Sequence, residues 1–73
     1  MSDNVYSISE IVGTSPDGID AAIRKAITRA SRTLRNLDWF EVAEIRGYIG
    51  EGGGIDHFQV RLKVGFRLEE GGD

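Results

Sequence analysis

The 73-residue chain has no cysteine, one histidine and one proline. Without cysteine there is no disulfide framework and no sign of an oxidising compartment, and a lone histidine cannot build a metal site. No apolar run approaches the ~20 residues of a membrane span. Met1-Ser2-Asp3-Asn4 lacks the basic segment and apolar run of a signal peptide. A cytoplasmic location and no membrane partner are therefore expected. The formal net charge of −3 argues against a dedicated nucleic-acid binder. With 40% hydrophobic residues the chain is globular rather than disordered, and its length predicts one domain over 1–73. Chains this short bury a modest share of their surface. With disulfides and metals excluded, assembly is the reinforcement left.

What is present reads in order. Val5 to Val12 predicts a first strand, with imperfect alternation that implies contact on both faces. Gly13-Thr14-Ser15-Pro16-Asp17 breaks it and opens a helix: Thr14 or Ser15 offers a cap, Pro16 suits the first turn, and Asp17 and Asp20 complement the positive helix end. From Ile19 to Leu37 the apolar residues keep three-four spacing. This stripe is rich in alanine and isoleucine, which lets the helix lie close to a sheet. The opposite side is basic, holding five of the nine Lys and Arg residues (Arg24, Lys25, Arg29, Arg32 and Arg35). Asn36 and Asp38 end the helix. Trp39 to Ile49 predicts a second strand, Gly50 to Asp56 a hairpin loop, and His57 to Leu68 a third strand. In that third strand Phe58, Val60, Leu62, Val64, Phe66 and Leu68 face one way and His57, Gln59, Arg61, Lys63, Gly65 and Arg67 the other. A polar tail covers 69–73.

The expected fold is α+β: a β-α-β-β subunit whose three-stranded antiparallel sheet has one face covered by a single long helix, strand one pairing with strand three. Exposed sheet edges need protection, and other subunits supply it most simply.

Trp39, the only tryptophan, stands at the mouth of a strand between Asp38 and Glu41. A large aromatic there serves burial or offers a flat surface to a ligand. Taken together, Val12-Gly13-Thr14-Ser15-Pro16-Asp17-Gly18, Leu37-Asp38-Trp39-Phe40-Glu41-Val42, Ile45-Arg46-Gly47, His57-Phe58-Gln59-Val60 and Val64-Gly65-Phe66-Arg67-Leu68 resemble the dodecins, in the same order and over nearly the whole chain. The resemblance implies a hollow homododecamer with flavin pairs stacked between symmetry-related tryptophans, here Trp39. It also implies a strand glutamine, here Gln59, bonded to the flavin's pyrimidine edge. The implied function is non-catalytic storage, buffering and photoprotection of FMN or riboflavin, and some members also hold coenzyme A at a separate site.

Each candidate carries a plainer alternative. Gln59 is otherwise a solvated strand residue, but its amide offers both donor and acceptor to the flavin edge. Arg46 and Arg67, with Arg61 and Lys63, are otherwise an exposed charged face or partners of Glu10, Glu41 and Glu44. Guanidinium groups suit the FMN phosphate, and Arg46 is the first choice because it shares a strand with Trp39. Arg29, Arg32 and Thr33 are otherwise a solvated helix face, or the place where coenzyme A phosphates bind. The alternative class is a coenzyme A or nucleotide carrier, or a protein-interaction module using that basic face. Nucleic acid fits less well, since no aromatics interleave with the arginines. Gly52-Gly53-Gly54 lacks the following helix and the lysine of a phosphate loop. His57 has no partner to make it a ligand or a general base. No nucleophile–base or carboxylate pair stands out, so an enzyme is not expected.

Overall fold

The structure is a computed structural model that describes residues 3–69. It contains strand β1 (Tyr6–Ser15), helix α1 (Ile19–Ala30), strand β2 (Leu37–Ile49), a short turn (Glu51–Gly53) and strand β3 (Ile55–Arg67). The sheet order is β1-β3-β2 and both pairings are antiparallel. This is the expected topology, with the cleanest alternating strand at the centre.

That alternation builds the core. Val60, Leu62 and Val64 of β3 are essentially inaccessible, and Ala22 and Ala26 of α1 press onto this layer. Ile11, Ile19, Ile23 and Ile27 close its sides. The approach is tight because β1 has a glycine where the helix crosses. A Cβ on Gly13 would strike the Ala22 carbonyl oxygen and lie 2.8 Å from Ala26 Cβ.

Four expectations need correction. The helix ends at Ala30, not Leu37. Ser31 Oγ donates to the Thr28 carbonyl at 2.7 Å. The Arg32 and Thr33 amides then bond three residues back, to Arg29 and Ala30, at 3.1 Å each. Such bonds tighten and end a helix, and Asn36 turns the chain with φ of 65°, a left-handed conformation that asparagine tolerates. Neither Thr14 nor Ser15 caps the helix. Both belong to β1, Gly18 is the N-cap, and Ser15 Oγ accepts the Asp17 amide in the preceding turn.

The helix does not cover the whole face either. It packs on β1 and β3, which leaves Phe40, Val42 and Ile45 on the same side of β2 between 39% and 50% exposed. Finally, the strands are longer than expected: β1 runs to Ser15, β2 starts at Leu37 and β3 starts at Ile55. Among the described residues no helix is long and apolar enough to cross a membrane. Of the expected polar tail over 69–73, residues 70–73 lie outside the described part, as do Met1 and Ser2.

Candidate functional site

The face of the sheet turned away from α1 carries most of the candidate residues, because directly opposed residues of an antiparallel pair share a face. Trp39 sits opposite Gly65. Arg46 sits opposite Gln59, and Glu44 opposite Arg61. The candidates fall into two groups at opposite ends of β3. Gln59 and Gly65 are six positions apart, or about 20 Å at the ~3.4 Å rise of an antiparallel strand.

At the first end, the indole of Trp39 lies over the backbone of Gly65, whose missing side chain leaves the space. Trp39 keeps 39% of its surface exposed. Tyr6 of β1 meets it at a ring-centroid distance of 6.3 Å, tilted by 58°. The Tyr6 hydroxyl donates to Asp38 Oδ2 at 2.9 Å, and this bond, with burial and the carboxylate charge, raises the phenol above its ordinary value of 10. Arg67 lies opposite Tyr6, two positions beyond Gly65. Its backbone bonds Asn36 twice: the Arg67 N–H donates to the Asn36 backbone carbonyl at 3.0 Å, and the Arg67 carbonyl accepts from the Asn36 side-chain Nδ2 at 3.2 Å. A cleft of about 320 Å³ opens here between Asn4, Tyr6, Asn36, Asp38 and Arg67.

At the other end, Gln59 Oε1 accepts a long bond of 3.5 Å from the Tyr48 hydroxyl. The Tyr48 ring stacks on His57 with centroids 4.5 Å apart and planes 14° from parallel. His57 Nδ1 lies 2.6 Å from Asp56 Oδ2. Asp56 and Tyr48 are thus the neighbours of this histidine, which joins no metal-binding cluster among the described residues. Arg46 donates to Glu44 at 3.0 Å, and Arg61 reaches Glu10 on β1 at 3.1 Å and Glu44 on β2 at 3.6 Å. The bond and charge of Arg46, with Arg61 behind it, hold the Glu44 carboxyl below its ordinary 4.5. Glu44 in turn raises Arg46. Among the described residues the guanidinium of Arg67 has no ion-pair partner, unlike those of Arg46 and Arg61.

Arg29, Arg32 and Thr33 stand apart from this face. Arg29 lies in the last turn of α1 and the other two in the turn after it. Arg29 and Arg32 share a shallow groove with Arg24, Lys25 and Thr28, while Thr33 lines a different cleft, between α1 and β1, with Arg29, Ile11 and Leu34. Among the described residues there is no cluster of His, Asp and Glu able to hold a metal ion.

Sequence reasoning missed three residues of this face as partners of the candidates: Gly65, Tyr6 and Tyr48. The available signal was register. Pairing the second and third strands through the hairpin puts the single tryptophan opposite the single glycine of the polar row.

Comparison with known proteins bears on the family and the fold. The family model for Dodecin matches residues 5–69. A dodecin of Thermus thermophilus is 62% identical over 66 residues, spanning 90% of this chain and 94% of that protein. The solved dodecin of Streptomyces davaonensis has a TM-score of 0.88 and 59% identity, covering 94% of this chain and 100% of its own. That of Streptomyces coelicolor has 0.87 and 61%, covering 96% and 99%. A β1-β3-β2 sheet under one helix, with these relatives over nearly its full length, places the chain by sequence and by fold alike: it belongs to the dodecin family.

Proposed function

We propose that the protein binds flavin without transforming it, holding FMN or riboflavin as stacked pairs in a homododecamer that stores, buffers and photoprotects the cofactor. The observation that carries this reading is the indole of Trp39, laid flat on Gly65 with its outer surface open. A flat, electron-rich ring open on one side suits an electron-poor isoalloxazine through stacking and dispersion. When bound, a flavin absorbs visible light, and contact with an indole returns it quickly to the ground state. Gln59 offers donor and acceptor to the pyrimidine edge. Arg67, beside Trp39, is better placed than Arg46 for the phosphate of the ring stacked there, while Arg46 stands with Gln59.

Assembly is part of the same proposal. Two candidate groups about 20 Å apart on one subunit cannot both touch one tricyclic ring, so a complete pocket needs Trp39 of one copy and Gln59 of another. The lone subunit is also poorly packed. Its radius of gyration is 15.5 Å, against about 11 Å for a compact chain of this length. Phe40, Val42 and Ile45 are left bare beside Ile23 and Ile27 of the helix. Neighbouring copies would cover them. In this reading the chain acts as one domain, in the cytoplasm.

A second reading concerns the helix. Arg24, Lys25, Arg29 and Arg32 have no ion-pair partners among the described residues and line one groove. Coenzyme A, with three phosphates, is the ligand proposed there, with Thr33 in the neighbouring cleft that shares Arg29. It is an addition to the flavin site and not a replacement.

The test is a titration of FMN with apoprotein, followed by flavin fluorescence. Quenching that saturates near one flavin per subunit is expected. Fluorescence that stays unquenched overturns the flavin reading and leaves the helix groove as the place to look.

A further inference from the structure

We propose that Gly65 and Tyr6 are positioning residues for Trp39, fixing the indole flat on the central strand so that only its outer face is open to a ligand ring. The ligand in this inference rests on the flavin reading above; the geometry does not. A Cβ at position 65 would collide with Cε2 and Cζ2 of the indole and lie 2.7 Å from Nε1. The other positions of β3 on this face, His57, Gln59, Arg61, Lys63 and Arg67, all carry large side chains. Gly65 is the one gap in the row, and it lies opposite the tryptophan. The indole fills that gap, and Gly65 is buried although it lies on the face away from the helix. Glycine inside a strand costs chain entropy and leaves nothing to pack. An aromatic ring from the neighbouring strand, laid across it, offsets that loss.

Tyr6 bounds the ring on the β1 side. Its ring stands 6.3 Å from the indole, and its hydroxyl is anchored on Asp38, the residue before Trp39. The bond ties the first residue of β1 to the start of β2 across the end of β3. It leaves the indole no room to swing toward β1. With β3 beneath and Tyr6 beside, a stack grows from this tryptophan in one direction only. That sets which face a flavin meets and how far from the sheet it sits.

The experiment titrates FMN into Gly65→Ala, Trp39→Ala and the double variant, with size exclusion to check assembly. Acrylamide quenching of tryptophan emission is measured on ligand-free Gly65→Ala. The chain has one tryptophan, so emission reports this ring alone. Gly65→Ala is expected to lose affinity about tenfold or more, the scale of one lost stacking contact, and to raise acrylamide quenching. The double variant is expected to bind no worse than Trp39→Ala alone, because non-additive losses mark residues acting through each other. Tyr6→Phe, which keeps the ring and removes the bond, is expected to lose less. If Gly65→Ala fails to assemble, the double variant should recover assembly, since the colliding ring is gone. The proposal is overturned by Gly65→Ala that matches the unaltered protein in both readouts, by additive losses, or by assembly that fails equally with and without Trp39. Raised acrylamide quenching together with no FMN binding by the unaltered protein would uphold the positioning and remove the flavin reading instead.

Discussion

Trp39 and Gln59 share a face of the sheet but not a neighbourhood: six positions of β3 separate Gln59 from Gly65, the residue on which the indole rests. A pocket using both residues is therefore shared between copies, and this has a direct genetic test. Trp39→Ala alone should weaken FMN binding by about 5- to 150-fold, since stacking on an aromatic is worth roughly 1–3 kcal/mol per ring. Gln59→Ala should cost less, about 1 kcal/mol, the net value of a neutral hydrogen bond. Subunits of the two variants, unfolded together and reassembled as a mixture, should regain a fraction of sites with the original affinity. Each such site takes its tryptophan from one variant and its glutamine from the other. A mixture that binds no better than the average of its parents would show that the two residues do not serve one pocket.

The arginines can be separated by ligand. Arg46 and Arg61 already hold Glu44, and Arg61 also holds Glu10. Arg67 stands beside Trp39, opposite Tyr6. Arg67→Ala should weaken FMN by about 10- to 150-fold, the ~1.5–3 kcal/mol scale of a hydrogen bond to a charged group. It should leave riboflavin, which has no phosphate, nearly unaffected. Calorimetric titration with both flavins decides it. Equal losses for the two ligands would place Arg67 in the framework and not at the phosphate.

The fold was legible where one physical pattern dominated. The period-two alternation from His57 onward put Val60, Leu62 and Val64 inside, and a strand that apolar on one side belongs at the centre. The end of the helix was hidden because Leu34 and Leu37 continue the apolar spacing past the point where the backbone stops being helical. What ends it is the pair of amide bonds from Arg32 and Thr33 and the left-handed Asn36, and these leave no mark on hydrophobic periodicity. The same limit applies to the candidate site. Trp39, Gln59 and the arginines stand out by type, whereas Gly65 matters for what it lacks. Its effect appears only once register sets it opposite Trp39. The stack of His57 on Tyr48 is likewise a cross-strand event, since these residues face each other across the hairpin.

The bare side of β2 predicts how assembly fails. Phe40 is 48% exposed and lies against the groove formed with Ile23 and Ile27. If other copies cover this strip, Phe40→Asp puts a carboxylate where water is excluded, and burying an unpaired charge costs several kcal/mol or forces it to take up a proton. Every copy carries the lesion, so the penalty recurs at each interface. Light scattering should show a fall from the assembled mass to that of small species at neutral pH. Flavin binding should fall with it, because the proposed pocket draws residues from two copies. A variant that keeps its full mass would mean that the strip faces solvent in the assembly.

The Arg46–Glu44–Arg61 group predicts an acid response of known sign. Glu44 is held below its ordinary value of 4.5, first by the hydrogen bond from Arg46 and then by its charge. A carboxyl whose folded value is depressed adds stability that is present above the unfolded value and lost as pH falls through the folded one. The pairs are exposed, so the contribution is modest. Its signature is a slope. Denaturation midpoints of the unaltered protein should fall as pH drops below 4.5, and Glu44→Gln, which has no proton to take up there, should show a shallower fall over the same interval. Near neutral pH the variant should be slightly less stable, because Arg46 and Arg61 lose a shared counter-charge. The two profiles should approach one another as the medium becomes more acid, since protonated Glu44 and glutamine then present the same neutral group to both arginines. Parallel profiles across the whole range would mean that the carboxyl gains nothing from these arginines in solution.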